Sequence, residues 1–240
     1  IHVGTEGSIN LQEGSQLTIA GFENAGNRSL ADNKILGHIN GADDTGLIIT
    51  DGTELLVSTD DNVTDKTSSF LTTVTGGSTL TLGNSKSLGT GVINLTGTND
   101  GGLGTLIIGG ENLASDWTME NALSGAGNVD FTGKGHALFL KDAGQTFTGT
   151  LSVSGGIFGM QGSALAEGET ESDPEQVNAN VMANASLEVV DKSRLNLSGG
   201  RTTLANLTLS DSTLTAGSIV SENGSYYSSG WIDMTGAGAD

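Results

Sequence analysis

The sequence predicts an all-β fold built as a parallel β-helix, a solenoid of about eleven coils with one protruding acidic loop. Three observations predict it. A short strand pattern bounded by turn residues recurs along the chain; its equivalent aliphatics return at intervals of about twenty to twenty-six residues; and sustained helical periodicity is almost absent.

The recurring unit is a small or turn residue, Ser or Thr, an aliphatic, any residue, and a second aliphatic. It reads GSQLTI at Gly14–Ile19, GTELLV at Gly52–Val57 and GSTLTL at Gly77–Leu82. It continues as GTLIIG at Gly104–Gly109, GTLSVSG at Gly149–Gly155 and ASLEVV at Ala185–Val190. SRLNLSG at Ser193–Gly199, ANLTLSD at Ala205–Asp211 and STLTAG at Ser212–Gly217 complete the series. Alternation of aliphatic and polar residues over four or five positions, closed by Gly, Asn or Asp, describes a half-buried strand with turns at its ends. The best helical candidate is Glu111–Leu123, and with Thr and Gly so frequent even that segment is expected not to be helical.

Equivalent positions such as Leu80 and Leu106, or Leu187 and Leu207, set the period. One coil of that length holds two or three short strands. Leucine-rich repeats share the period but need a helical half that this sequence lacks. A two-sheet sandwich also has many short strands, but it fills a thick core with large aromatics, and here aromatics are 4% of residues. At roughly 22 residues per coil, the chain gives about eleven coils and a rod roughly 50 Å long at the usual strand spacing.

Composition supports a long, thin core. The 240 residues include 38 Gly, 1 Pro and no Cys, and the 35% hydrophobic fraction is mostly Leu, Ile and Val in short scattered clusters. Acidic residues outnumber basic ones by 28 to 9, for a formal charge of -19. So acidic a chain has no electrostatic footprint for phosphate backbones, which excludes nucleic acid as the expected partner. No apolar run reaches the eighteen or so residues of a membrane helix. No signal peptide opens the sequence, and Ile1 is expected to be a mature or cut boundary. The lack of Cys fits the cytosol and fits equally a secreted chain that crosses a membrane unfolded.

A specific resemblance lies at 123–160, LSGAGNVDFTGKGHALFLKDAGQTFTGTLSVSGGIFGM. It is similar to the passenger-associated transport repeat of Gram-negative autotransporters. The motif's opening apolar-Ser-Gly-x-Gly turn matches Leu123, Ser124, Gly125 and Gly127, and its glycine-turn strand matches Gly133 to Leu140. Its aromatic-Thr-Gly matches Phe147, Thr148 and Gly149, and its closing pair matches Gly155 and Gly156. Phe147 stands where Tyr is common, and Ala137-Leu138-Phe139-Leu140 replaces the commoner Thr-Leu-Thr-Leu; both keep the inward positions apolar. The resemblance covers about one sixth of the chain. It implies a right-handed parallel β-helix, residues 1–240 forming one passenger segment, exported through an outer-membrane barrel outside this chain and displayed at the bacterial surface. AIDA-like and self-associating passengers aggregate cells, build biofilms or adhere to host cells and matrix.

Catalysis is not expected. The Gly-Asp-Ser-Gly nucleophile motif of proteolytic passengers, which needs a neighbouring His-Asp pair, does not occur, and His2, His38 and His136 sit among Gly and Asn without partners. β-Helices also carry polysaccharide-degrading enzymes, for which Asp43 with Asp44, or Asp60, Asp61 and Asp65 beside Lys66, would supply paired carboxylates. Turn capping is the plainer account of these acids. The Asp60–Asp65 segment also offers oxygens to Ca²⁺, but it lacks the glycine and terminal Glu of an EF-hand. Asn99–Gly104 superficially resembles a calcium nonapeptide without its Asp or its tandem copies. No cofactor and no metal is therefore expected.

ALAEGETESDPEQV at Ala164–Val177 breaks the strand pattern and marks a loop insertion over 161–180. Its Glu169, Glu171 and Asp173, with Asp60, Asp61 and Asp65, are the candidate partner-binding residues, against the alternative that a charge run is simply solvated. Tyr226, Tyr227 and Trp231 form the only aromatic cluster; core placement is the better account of it than a sugar surface.

Two partners remain open. One is a second copy on a neighbouring cell, met through flat polar faces of Asn, Asp and Thr. The other is a host matrix protein or glycan, a polyanionic glycan requiring that Lys192, Arg194 and Arg201 gather on one face. Direct membrane insertion is not expected.

Overall fold

The computed structural model describes residues 1–21, 33–58, 68–85, 87–97, 101–109, 117–119, 121–132, 136–139, 146–161, 182–198, 201–216 and 231–234. Among them the chain is all-β, without a helix. The first strands are β1 (His2–Val3), β2 (Ser8–Asn10), β3 (Gln16–Ala20), β4 (Lys34–Ile35), β5 (His38–Asn40) and β6 (Gly46–Thr50). Next come β7 (Glu54–Val57), β8 (Leu71–Val74), β9 (Thr79–Leu82), β10 (Ile93–Leu95), β11 (Thr105–Ile108), β12 (Trp117–Met119) and β13 (Leu123–Gly125). Then follow β14 (Asn128–Phe131), β15 (His136–Phe139), β16 (Thr146–Phe147), β17 (Thr150–Ser154) and β18 (Ile157–Gln161). The last are β19 (Met182–Val190), β20 (Arg194–Ser198), β21 (Arg201–Leu209), β22 (Thr213–Ala216) and β23 (Trp231–Met234).

Each named strand pairs in parallel with a strand from an earlier or later passage of the chain. A ten-stranded sheet runs β1-β4-β7-β9-β11-β14-β17-β19-β21-β23, and a six-stranded sheet runs β16-β13-β10-β8-β6-β3. A five-stranded sheet, β12-β15-β18-β20-β22, and a pair, β2-β5, complete the set. Along the chain the sheets are visited in one cyclic order, as in β11, β12, β13 and then β14, β15, β16; among the described strands the five-stranded sheet is passed over from β7 to β10 and the six-stranded sheet from β17 onward.

Register explains the sequence period. On the ten-stranded sheet Leu55 pairs with Leu80, Leu80 with Leu106, Leu106 with Val129, Val129 with Leu151, Leu151 with Leu187, and Leu187 with Leu207. A second row passes through Val57, Leu82, Ile108, Phe131, Val153 and Val189. Twelve of these thirteen stacked positions are essentially without exposure, and the thirteenth, Leu207, is partly buried. Because side chains alternate across a strand, like residues stack on like at each step, and the aliphatics fill a continuous interior. Phe131 and Phe158 meet inside it with ring centroids 6.0 Å apart and planes tilted by 50°.

The turns carry the rest of the sequence pattern. Between the six- and ten-stranded sheets, Asp51 and Gly52 have φ of 58° and 68°, and Gly76 and Gly77 have 61° and 71°. Two successive left-handed residues reverse the chain tightly, which is why Gly and Asp occupy them. The turns also stack: Gly52 N donates to Gly76 O at 2.9 Å, Gly77 N to Gly102 O at 2.8 Å, and Thr53 N to Ser78 Oγ at 3.0 Å.

Beyond β16 the cross-section changes. β19 and β21 are nine residues long, and the register slips between Met182 and Ser186. β19 also packs against β16, the last strand of the six-stranded sheet. A slip of this kind increases local twist and re-aims the strand.

The buried Thr72 departs from the pattern. It lies between Leu47 and Ile93 on the inward row of the six-stranded sheet, and among the described residues its Oγ1 has no hydrogen-bond partner. Desolvating a hydroxyl without compensation is costly. Thr72→Val is therefore expected to stabilise the fold by about 1 kcal/mol, read as a rise in the urea midpoint at unchanged slope.

Candidate interaction surface

The six-stranded sheet presents an outer face with an unusual charge distribution. Its strands read QLTIA, GLIIT, LTTV, INL, LSG and TF, without a single ionisable residue. Each other sheet includes at least one: Glu54, Asp130 and Glu188 on the ten-stranded sheet, Arg194 on the five-stranded sheet, and His38 on the pair. On a chain of charge -19, this is the face two such molecules could bring together with least repulsion.

Outward positions follow from alternation. Thr18, Ile48, Thr73, Asn94, Ser124 and Thr146 form one row across all six strands. Beside it, Leu71 and Val92 are 40% and 39% exposed, large aliphatics on the solvent side. Hydrogen bonds hold the polar members in place. Ser124 Oγ donates to Asn94 Oδ1 at 3.1 Å, Thr96 Oγ1 to Thr75 Oγ1 at 3.1 Å, and Thr146 Oγ1 to Leu123 O at 3.1 Å. The same device recurs elsewhere, with Asn40 Nδ2 on Asn10 Oδ1 at 2.8 Å and Asn206 Nδ2 on Ser186 Oγ at 3.1 Å. Ladders of this kind fix rotamers before any partner arrives and so reduce the entropy lost on binding.

Acids stand at the rim. Glu13, Asp43 and Asp44 precede β3 and β6, all exposed. Asp44 Oδ2 accepts from Gly14 N at 3.0 Å, the turn-capping role expected of this residue type. On the ten-stranded sheet, burial raises the Asp130 carboxyl above its ordinary value; it sits in the outer row between Ile107 and Ser152, where an aliphatic neighbour keeps water off the charged form.

The sequence-predicted partner residues Asp60, Asp61, Asp65, Glu169, Glu171 and Asp173 lie outside the described residues, as do Lys66, Asn99, Tyr226 and Tyr227 and nearly all of the 161–180 insertion. Trp231 opens β23 opposite Arg201. The histidines are dispersed: His2 begins β1, His38 pairs with Ser8, and His136 pairs with Ile157. Nor do the basic residues gather on one face. Lys192 occupies a turn with φ of 62°, Arg194 opens β20 of the five-stranded sheet, and Arg201 opens β21 of the ten-stranded sheet. Of Glu111–Leu123, the described part holds strand at Trp117–Met119, a bend at Asn121 and Leu123 opening β13, with no helix. Among the described residues no group of His, Cys, Asp or Glu is placed to hold a metal ion.

Within 123–160, Leu123 and Phe147 are fully buried. Gly125, Gly155 and Gly156 take φ of 87°, 107° and 67°. The outer residues of the six-stranded sheet, Thr73 and Asn94 with Leu71 and Val92, were not singled out by motif. Their signal was the lack of charge in six short segments, visible only once register aligns them. Comparison with known proteins finds no matching family model, no matching curated protein and no matching solved structure.

Proposed function

We propose that this chain is a length of right-handed parallel β-helix, about eleven coils with a protruding acidic loop, from the passenger of a Gram-negative autotransporter. It acts at the cell surface as an adhesin, joining cells into aggregates and biofilm by contact between copies, without a catalytic step. Anchorage is by an outer-membrane barrel outside this sequence.

The observation that carries the reading is the set of parallel sheets visited in one cyclic order, with outer rows of hydroxyl and amide side chains bonded strand to strand. Parallel strands joined by crossovers are right-handed in about 98% of cases, which supports the stated hand. An extended, regular row of polar side chains suits many weak contacts better than one tight pocket, and such contacts become strong in number on a crowded cell.

The test is surface display. Cells carrying a passenger with residues 1–240 are expected to settle and to form biofilm, and cells carrying the same passenger with this segment deleted are not. Equal settling of the two would sink the proposal. Heterotypic adhesion to immobilised matrix protein, without homotypic settling, would move the assignment to a host-ligand adhesin.

A further inference from the structure

We infer that the outer face of the six-stranded sheet is the docking surface and that its occupant is the same face of a second copy. The inference rests on the self-association reading above and adds the surface. Like charge sets the choice. Two molecules of charge -19 repel wherever acidic surfaces meet, and among the described strands those of this sheet alone carry no ionisable side chain. A face that meets itself across a two-fold axis duplicates every charge it carries, so an uncharged face is the one that tolerates such pairing. Leu71 and Val92, at 40% and 39% exposure, supply apolar area near its centre. Thr18, Thr73, Asn94 and Thr146 supply donors and acceptors in a straight row.

Area sets the strength. Six strands at about 4.8 Å spacing and roughly 13 Å of strand length make a patch of roughly 300 Å² per partner. A stable interface needs about 800 Å² per partner. A single pair is therefore weak, the free chain is monomeric at micromolar concentration, and association appears only where many copies are held together. The rim acids Glu13, Asp43, Asp44 and Asp51 add repulsion that salt screens, so clumping rises with ionic strength.

The experiment couples the 240-residue chain to beads and follows clumping by light scattering. Thr73 and Asn94 are neighbours in register on the proposed face, as Thr79 and Thr105 are on the ten-stranded sheet. The double variants Thr73→Glu/Asn94→Glu and Thr79→Glu/Thr105→Glu thus add the same charge, and the second, with Glu54 in register beside Thr79, carries the greater internal repulsion. The first is expected to reduce clumping at least tenfold and the second to leave it within twofold of the parent. Equal loss in both, or no loss in either while the parent clumps, overturns the face but leaves the self-association reading standing. A parent that does not clump overturns both.

Should the first variant fold poorly by circular dichroism, cross-linking replaces it. The chain has no cysteine, so Leu71→Cys and Thr79→Cys each place one thiol on one sheet. With a short bis-maleimide on densely coated beads, covalent dimers are expected from the first and not the second. The reverse yield overturns the assignment.

Discussion

Gly127→Ala is expected to destabilise the protein by about 3 kcal/mol or more, at the upper end of what overpacking costs. Elsewhere the same substitution commonly stabilises by about 0.4–1 kcal/mol, because it restricts the unfolded chain. The sign reverses here because of what lies beneath the residue. A Cβ on Gly127 would stand 2.3 Å from Gly104 O and 2.6 Å from the Leu95 Cβ. Gly104 and Gly149 are in the same position: their Cβ atoms would stand 2.1 Å from Val74 O and 1.9 Å from Gly127 O. The three form a column at the corner entering the ten-stranded sheet, each over the backbone of the passage before it.

Relief would require backbone to move, and that backbone is committed. Gly104 O accepts from Asn128 N at 3.0 Å, Gly127 N donates to Leu95 O at 3.0 Å, and Gly127 O accepts from Thr150 N at 3.2 Å. Widening this corner stretches the ladders that seat β14 on β11 and β17 on β14. Nearest-neighbour coupling in a stacked fold then passes the loss to adjacent strands. Gly4→Ala is the control, since among the described residues nothing lies within 4 Å of its Cβ position and its φ is not left-handed. Urea melts of the two variants against the parent decide the matter; similar midpoints for both would show that the corner yields freely.

The same column shows what could be read from sequence. Strand identity was legible because each unit carries its own evidence: alternation in TLTL, TLII and TLSVS together with Gly or Asp at the ends. The intervals between aliphatics were legible too, because stacking like on like imposes them. The wide spacings were harder. Val153 pairs with Val189 across a segment far longer than the one between Phe131 and Val153, and connections of differing length blur a period without disturbing the register. Which glycines serve turns and which serve close approach was not legible. Gly77 has φ of 71° and its Cβ position meets Gly102 only at an ordinary contact distance of 3.6 Å, whereas Gly127 has no left-handed φ and no room. The distinction depends on the neighbouring passage, which local sequence does not contain. The uncharged face was hidden for the same reason: three or four uncharged residues are unremarkable in one strand and become a surface only when six strands are aligned.

Asn121→Leu is expected to cost about 3 kcal/mol, for a reason opposite to that at Gly127: a bond is removed where water cannot replace it. Asn121 is only 1% exposed. Its Nδ2 donates to Gly91 O at 2.8 Å and to Gly89 O at 3.2 Å, bridging to carbonyls thirty or so residues earlier in the chain. These glycines cannot shift toward other donors. A Cβ on Gly89 would stand 1.9 Å from Ser68 O, and one on Gly91 2.0 Å from Phe70 O, so their backbone is already pressed against the passage below. Leucine keeps the branching at Cγ in a bulkier side chain and leaves both carbonyls without a donor, at about 1–3 kcal/mol for each orphaned group. Asn121→Asp separates hydrogen bonding from packing. The carboxylate keeps the shape but points oxygen at oxygen, and burial raises its folded-state pKa above the unfolded value of about 3.9. The protonated acid restores one donor. Stability of Asn121→Asp is thus greatest below that unfolded value and falls as pH rises through it toward neutrality, while Asn121→Leu shows the parent's pH dependence. Urea midpoints for the three proteins at pH 4 and pH 7 test the assignment. An aspartate variant whose deficit relative to the parent is the same at both pH values would mean that the amide does not hold these carbonyls.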